Sequence, residues 1–184
     1  MGTAFFKLLF VIFMPIAVFV LADVLMMRTT GRDQFPQSNI AESVPLNTRL
    51  HGYTATEATT YWQWLGTEGQ LAERRFLKAD MIFPLAYGGA MLVSILFTWS
   101  ALGRRFNPTL IVAPAVIAVI ADWTENLVHL RQLRNFMQSE PVQASWIQVS
   151  SIATSTKWIF IWVSILLIFV FGIWMFIHEL RAPK

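Results

Sequence analysis

Residues 109–130 read TLIVAPAVIAVIADWTENLVHL, and this stretch decides both the fold class and the place of a candidate site. Its length matches the roughly 20 helical residues that cross the hydrocarbon core of a bilayer. The first half is apolar, but the second half carries Asp122, Glu125, Asn126 and His129. Ionisable side chains at that depth are costly, and they normally mark a site or a partner. The stretch therefore predicts a membrane-spanning helix with one polar face.

Apolar stretches of this length recur along the chain. Hydrophobic residues make up 55% of the sequence and charged residues only 14%. We predict an all-α integral membrane protein whose single domain, residues 1–184, is an antiparallel four-helix transmembrane bundle. The first apolar run continues past Ala22 to Met27, longer than the core of a usual signal peptide, so we expect it to be the first helix. The predicted spans are about 5–27, 80–101, 109–130 and 157–177.

The segment 28–79, between the first two predicted spans, contains a polar loop followed by an amphipathic helix. Thr54 and Glu57 form a capping-box pattern, and Gly66 is a typical helix stop. An aromatic helix face beside a membrane span predicts an interfacial helix, with packing as a lid over the bundle as the equal alternative. The residues of that face are Ala58, Tyr61, Trp62 and Leu65.

The charge pattern favours a lipid surface over nucleic acid as a partner. The net charge of +3 is spread over loops and ends, which suits anionic headgroups. The chain has no cysteine, which excludes disulfides, thiolate nucleophiles and cysteine metal ligands. Because the positive-inside rule weights short segments, we expect both termini to be cytoplasmic and the polar cluster to lie toward the opposite face. The basic residues of those short segments are Lys7, Arg104, Arg105, Arg181 and Lys184.

Helical phase aims polar side chains from three predicted spans at one volume. At about 100° per residue, the four polar residues of the third span fall within an arc of roughly 100°. Polar side chains within a bilayer face the bundle interior, so the pattern predicts a carboxylate-lined cavity in one leaflet. The matching stripe on the second span is Asp80, Pro84, Tyr87, Ser94 and Thr98. The stripe before and within the fourth span is Ser151, Thr154, Ser155, Trp158 and Trp162.

One interpretation of this cavity is a site that binds or converts a lipophilic small molecule or lipid. Asp80, Asp122 and Glu125 are candidates for a general acid and base, since two carboxylates in different environments can divide those tasks. Tyr87 could donate a hydrogen bond to a developing oxyanion. The candidate ligand-binding residues are Asn126, Thr154, Ser155, Trp158 and Trp162.

A second interpretation is a non-catalytic accessory or assembly subunit of a membrane complex, in which the polar cluster only holds the helices in register. Interhelical hydrogen bonds of about 1 kcal/mol each would then be the whole role of the cluster. Basic residues predicted on the same side could neutralise the acids: Arg74, Arg75, Lys78, Arg131 and Arg134.

A third interpretation is a metal site. His129 and Glu125 lie four residues apart on one helix face, which is a workable pair of ligands. An ion pathway ranks below these three, because a pathway needs polar groups through both leaflets and the opposite halves of the spans are apolar. The sequence names no cofactor and does not decide whether the protein is an enzyme.

Overall fold

A computed structural model describes residues 2–35, 41–104 and 107–181 of the chain. The described residues form three short 3₁₀ turns in the loop after the first helix, together with five α-helices. These are α1 (Gly2–Thr30), α2 (Ala55–Ala79), α3 (Phe83–Ala101), α4 (Pro108–Met137) and α5 (Ala144–Arg181). Within the described ranges, four helical segments are long and apolar enough to cross a membrane, with α2 and α3 counted as one. The all-α class and the four helices of spanning length are thus confirmed.

Helix α2 begins at the predicted cap. The Thr54 amide donates to Glu57 Oε2 at 2.7 Å, and the Glu57 amide donates to Thr54 Oγ1 at 3.2 Å, which completes the capping box. Gly66 leaves helical geometry with φ 61° and ψ −177°, in a region that glycine enters at little cost. The chain then continues as helix to Ala79, so the predicted stop is a kink within α2.

The apolar face of α2 packs against the other helices. Ala58, Tyr61, Trp62 and Leu65 are all buried, as their spacing predicts. They share one apolar cluster with Leu133 of α4 and Ile147 of α5, among others. This face therefore covers the ends of those two helices, which is the lid alternative. An interfacial position for the opposite, exposed face stays a prediction.

A break separates α2 from α3 at residues 80–82, so the second predicted span starts later than residue 80. Pro84 has no amide proton, which leaves the carbonyl of Asp80 without its helical donor. Asn126 Nδ2 of α4 donates to that carbonyl at 3.2 Å, and Trp123 Nε1 donates to the Met81 carbonyl at 2.9 Å. Two α4 side chains thus satisfy the backbone of the break and fix Asp80 beside α4.

The remaining helices pack around a core of apolar side chains that includes Tyr87 and Phe171. Val11, Ile95, Ala115 and Ile168 bring α1, α3, α4 and α5 together in that core. At one end of the bundle, Lys7 of α1 pairs with Glu179 of α5 at 2.7 Å. At the other end lie the last turns of α1 and the first turns of α5, and the buried ionisable residues collect there.

Helices α3 and α4 approach closely at Gly88. A Cβ added at Gly88 would overlap Cγ2 of Val119, whereas a Cβ added at Gly89 meets nothing within 4 Å. Val119 is β-branched and has little rotamer freedom in a helix to move away. We expect Gly88→Ala to lower the free energy of unfolding by about 1–3 kcal/mol. Gly89→Ala should leave it unchanged or raise it by up to about 1 kcal/mol. Reversible unfolding in mixed detergent micelles measures both variants, and equal effects would contradict the close packing.

Candidate functional site

The carboxylate of Asp122 lies at the centre of a buried polar network. The Tyr87 hydroxyl donates to Asp122 Oδ2 at 2.9 Å, and Asn126 Nδ2 donates to Oδ1 at 3.3 Å. Lys157 Nζ of α5 lies 3.3 Å from the same Oδ1. Three helices therefore fix this carboxylate, and the predicted donor Tyr87 already has an acceptor within the protein.

Glu125 lies one turn further along α4 and is 0% exposed. Its Oε2 is 2.5 Å from Lys157 Nζ, so one ammonium bridges two carboxylates. The Ser150 hydroxyl donates to the Glu125 backbone carbonyl at 3.3 Å, and Thr154 donates to the Ser150 carbonyl at 3.0 Å. The predicted residue Thr154 thus lies at the network, next to Glu125.

Lys157 is the functional candidate that the sequence reasoning missed. It marks the start of the predicted fourth span and could pass as a residue at the water boundary. Its helical phase could have revealed it. Lys157 lies on one helix face with Ser150, Thr154 and Ile161, which follow one another at helical spacing. All four are buried in the structure.

A cavity of about 150 Å³ opens beside this network. Asp80 and Asp122 both line it, so the structure brings two of the predicted acid/base candidates to one volume. Asp23 of α1 lines the cavity as well, although its position in the sequence also suits the water boundary. Its other lining residues include Lys157, Asn47 and Thr48, as well as aromatic and aliphatic side chains. We call this space the polar cavity.

A second, apolar space of about 350 Å³ lies between α1 and α5, with Met91 of α3 also in its wall. Ile12, Ile16 and Ile165 are among its lining residues, and Trp162 is 59% exposed at its edge. We call it the apolar groove. Phe19, Trp158 and Ile161 line both spaces, so the groove and the polar cavity share a wall.

A second buried ionic cluster joins the loop after α1 to α2 and α4. Arg32 Nε lies 2.9 Å from Glu73 Oε2, and the Tyr61 hydroxyl donates to the same oxygen at 3.2 Å. Trp62 Nε1 donates to His129 Nε2 at 3.1 Å, and that nitrogen is 4.0 Å from Glu73 Oε1. Sequence reasoning did not find Arg32 or Glu73, because both lie outside the apolar spans where a charge is conspicuous.

The basic residues proposed as partners of the acids have other contacts. Arg75 Nε donates to the Thr30 carbonyl at 3.1 Å, and Arg134 Nε donates to Gln138 at 3.2 Å. Arg131 lies over the ring of Trp146, 5.9 Å from its centre. Within the described residues, none of the five basic residues of this group forms a salt bridge with a buried carboxylate. Lys157 and Arg32 are the buried counter-ions.

His129 and Glu125, the predicted pair of metal ligands, have separate partners in the structure. His129 Nε2 accepts the Trp62 proton, while Glu125 Oε2 pairs with Lys157. Among the described residues, no group of three or more His, Asp and Glu side chains is arranged to hold a metal ion. The i, i+4 spacing places both on one buried face, but packing gives each a separate partner.

Of the remaining predicted ligand residues, Trp158 lines both spaces, Trp162 lines one and Ser155 lines neither. Trp158 Nε1 donates to the Asn47 carbonyl at 2.9 Å, which ties the loop to the shared wall. Trp162 lines only the apolar groove. Ser155 donates to the Ser151 carbonyl at 3.3 Å and lines neither space.

Tyr53, in the loop before α2, shares a 2.7 Å hydrogen bond with Ser150. Burial is the largest cause that raises the pKa of its phenol, and the negative charge of Glu125 raises it further.

Comparison of the chain with models of protein families, with curated proteins and with solved structures finds no match. The class that the fold defines is an all-helical chain with four helices long and apolar enough to cross a membrane. The function must therefore be argued from the site itself.

Proposed function

We propose that this chain is a multi-pass membrane protein with four antiparallel spans. Its exposed side chains along α1 and α5 are largely apolar, including Phe6, Leu21 and Leu166, as expected for surfaces in contact with lipid. The short basic segments support cytoplasmic termini, with the polar cavity toward the opposite face. Of those basic residues, Arg105 and Lys184 lie outside the described part of the chain.

We propose further that the protein binds a lipid or another lipophilic molecule with a polar head. The observation that carries this proposal is the shared wall of Phe19, Trp158 and Ile161 between the apolar groove and the polar cavity. A volume of about 350 Å³ lies within the range of roughly 300–1,000 Å³ typical of ligand pockets. The two spaces are adjacent, and in this proposal the acyl chain lies in the groove while its head lies among the carboxylates.

Within this proposal the carboxylates have different tasks. Asp122 and Glu125 are held by Lys157 and act as fixed charges that shape the cavity. Asp80 is held through its backbone, so its carboxyl group is available to bind the head of a ligand or to exchange a proton with it. Any conversion of the ligand would depend on Asp80.

Filling the mouth of the groove tests the proposal. Ile16 lines the groove and is 41% exposed, so a larger side chain there should block it without disturbing the core. We expect Ile16→Trp to reduce the amount of lipid retained per chain about tenfold, equivalent to about 1.4 kcal/mol of binding. Native mass spectrometry of the protein purified in mild detergent measures retained lipid.

Leu21→Trp is the matched control, because Leu21 lies on the same helix, is exposed and does not line the groove. It should retain as much lipid as the unmodified chain. Equal retention by all three proteins would contradict the proposal and favour the accessory-subunit alternative, in which the polar network only ties helices together.

A further inference from the structure

Acidic side chains outnumber basic ones around the polar cavity. Asp23, Asp80 and Asp122 line it from three different helical segments, whereas Lys157 is its basic lining residue. That ammonium is already bridged between Asp122 and Glu125. A phosphate or carboxylate ligand would therefore have to compete with two buried carboxylates for Lys157.

Asp80 has a different position from the other buried acids. It is 2% exposed, and its backbone amide and carbonyl are bonded to Phe76 and Asn126. Its carboxylate lines the cavity, and within the described residues it has no direct hydrogen bond or salt bridge, while the charges of Lys157 and Arg32 act on it from a greater distance. A buried carboxylate without a direct counter-ion is unfavourable and tends to take up a proton, and a cationic ligand would stabilise its charged form.

The second ionic cluster provides no direct partner for Asp80. Arg32, a buried arginine of the loop, pairs with Glu73 at 2.9 Å and with Asn47 at 3.1 Å. Its guanidinium also lies over the Phe76 ring, 3.7 Å from the centre. The direct contacts of Arg32 are thus made within its own cluster.

We propose that the polar cavity takes an ammonium headgroup, and that the ligand is an amphiphile with a cationic amine and an apolar tail. This inference rests on the proposed lipid-binding function and adds the chemical class of the head. The ammonium forms an ion pair with Asp80, with Asp23 as the second carboxylate within the same cavity. The tail runs past the shared wall into the apolar groove.

Dodecylammonium and dodecanol provide matched probes, because they differ in the charge of the head and share a tail. Dissociation constants can be measured from intrinsic tryptophan fluorescence in a nonionic detergent, since Trp158 lies in the wall of both spaces. We expect dodecylammonium to bind at least about tenfold more tightly than dodecanol. Ethylammonium, which has no tail, should not bind at the same concentrations.

In Asp80→Asn, dodecylammonium and dodecanol should bind with about equal affinity, because the ammonium loses its ion pair. The affinity for dodecanol should not change. Asp23→Asn is a second variant, in which the preference for dodecylammonium over dodecanol should fall by a smaller factor. It keeps the test valid if Asp80→Asn misfolds. Glu68→Gln, an exposed acid on α2, is the control and should keep the full preference. Retained preference in both aspartate variants would overturn the inference.

The other outcomes separate the two proposals. Equal binding of dodecanol and dodecylammonium to the unmodified protein would overturn the ammonium head and leave lipid binding intact. Failure of both probes to bind would overturn the inference together with the groove function. Ethylammonium binding as tight as that of dodecylammonium would also overturn it, because the tail would then contribute nothing.

Discussion

Replacing Lys157 by methionine is expected to lower the free energy of unfolding by about 3–5 kcal/mol, the cost of removing one partner from a buried ion pair. Methionine keeps most of the apolar volume but removes the ammonium that bridges Asp122 and Glu125. Two carboxylates then remain close together and without a counter-charge. The measurement is reversible unfolding in mixed detergent micelles.

Two further variants identify the cause of that loss. Glu125→Gln, combined with Lys157→Met, removes one uncompensated charge and should recover a large part of the lost stability. Lys78→Met, at an exposed position of α2, should change the stability little. A loss of similar size in Lys78→Met, or no recovery in the double variant, would show that the bridge is not the reason.

Replacing Arg32 by methionine is expected to cost a similar amount, about 3–5 kcal/mol. Arg32 is buried against Glu73 and Phe76 and holds the loop after α1 to α2. Without the guanidinium, Glu73 keeps the Tyr61 hydroxyl at 3.2 Å but loses its counter-ion. The same unfolding experiment reports the change.

Arg28→Met is the matched control, since Arg28 is exposed at the end of α1 and contributes the same charge to the chain. It should leave the unfolding midpoint nearly unchanged. Glu73→Gln in the Arg32→Met background should restore part of the stability, because the uncompensated charge is then gone. Equal losses in Arg28→Met and Arg32→Met would mean that general charge, rather than the buried pair, determines stability.

Much of the fold follows from the helical spacing of the apolar residues and from the length of the apolar runs. The apolar runs predict the helices of spanning length, and the Thr54 capping box predicts the start of α2. The break at residues 80–82 is harder to foresee, because Pro84 is equally compatible with the first turn of a helix and with a kink. The choice depends on Asn126 and Trp123 of α4, which are distant in sequence and satisfy the freed carbonyls.

The candidate site is predictable where polar residues interrupt an apolar pattern. Asp122, Glu125, Asn126 and His129 are all buried on one face of α4, as their phase predicts. Their partners are not predictable in the same way. Asp122 pairs with Lys157 rather than with a terminal arginine. This choice depends on the axial register of α5 relative to α4, which is determined by packing. The apolar groove depends on the separation of α1 from α5, for which the sequence carries no local signal.

The most direct test of the central claim is an experimental structure of the protein in a lipid nanodisc, determined with dodecylammonium added. We predict one continuous elongated density that runs along Ile16 and Ile165 in the apolar groove, passes Trp158 and ends within hydrogen-bond distance of the Asp80 carboxylate. Density confined to the outer surface of the helices, with only water in the polar cavity, would contradict the account.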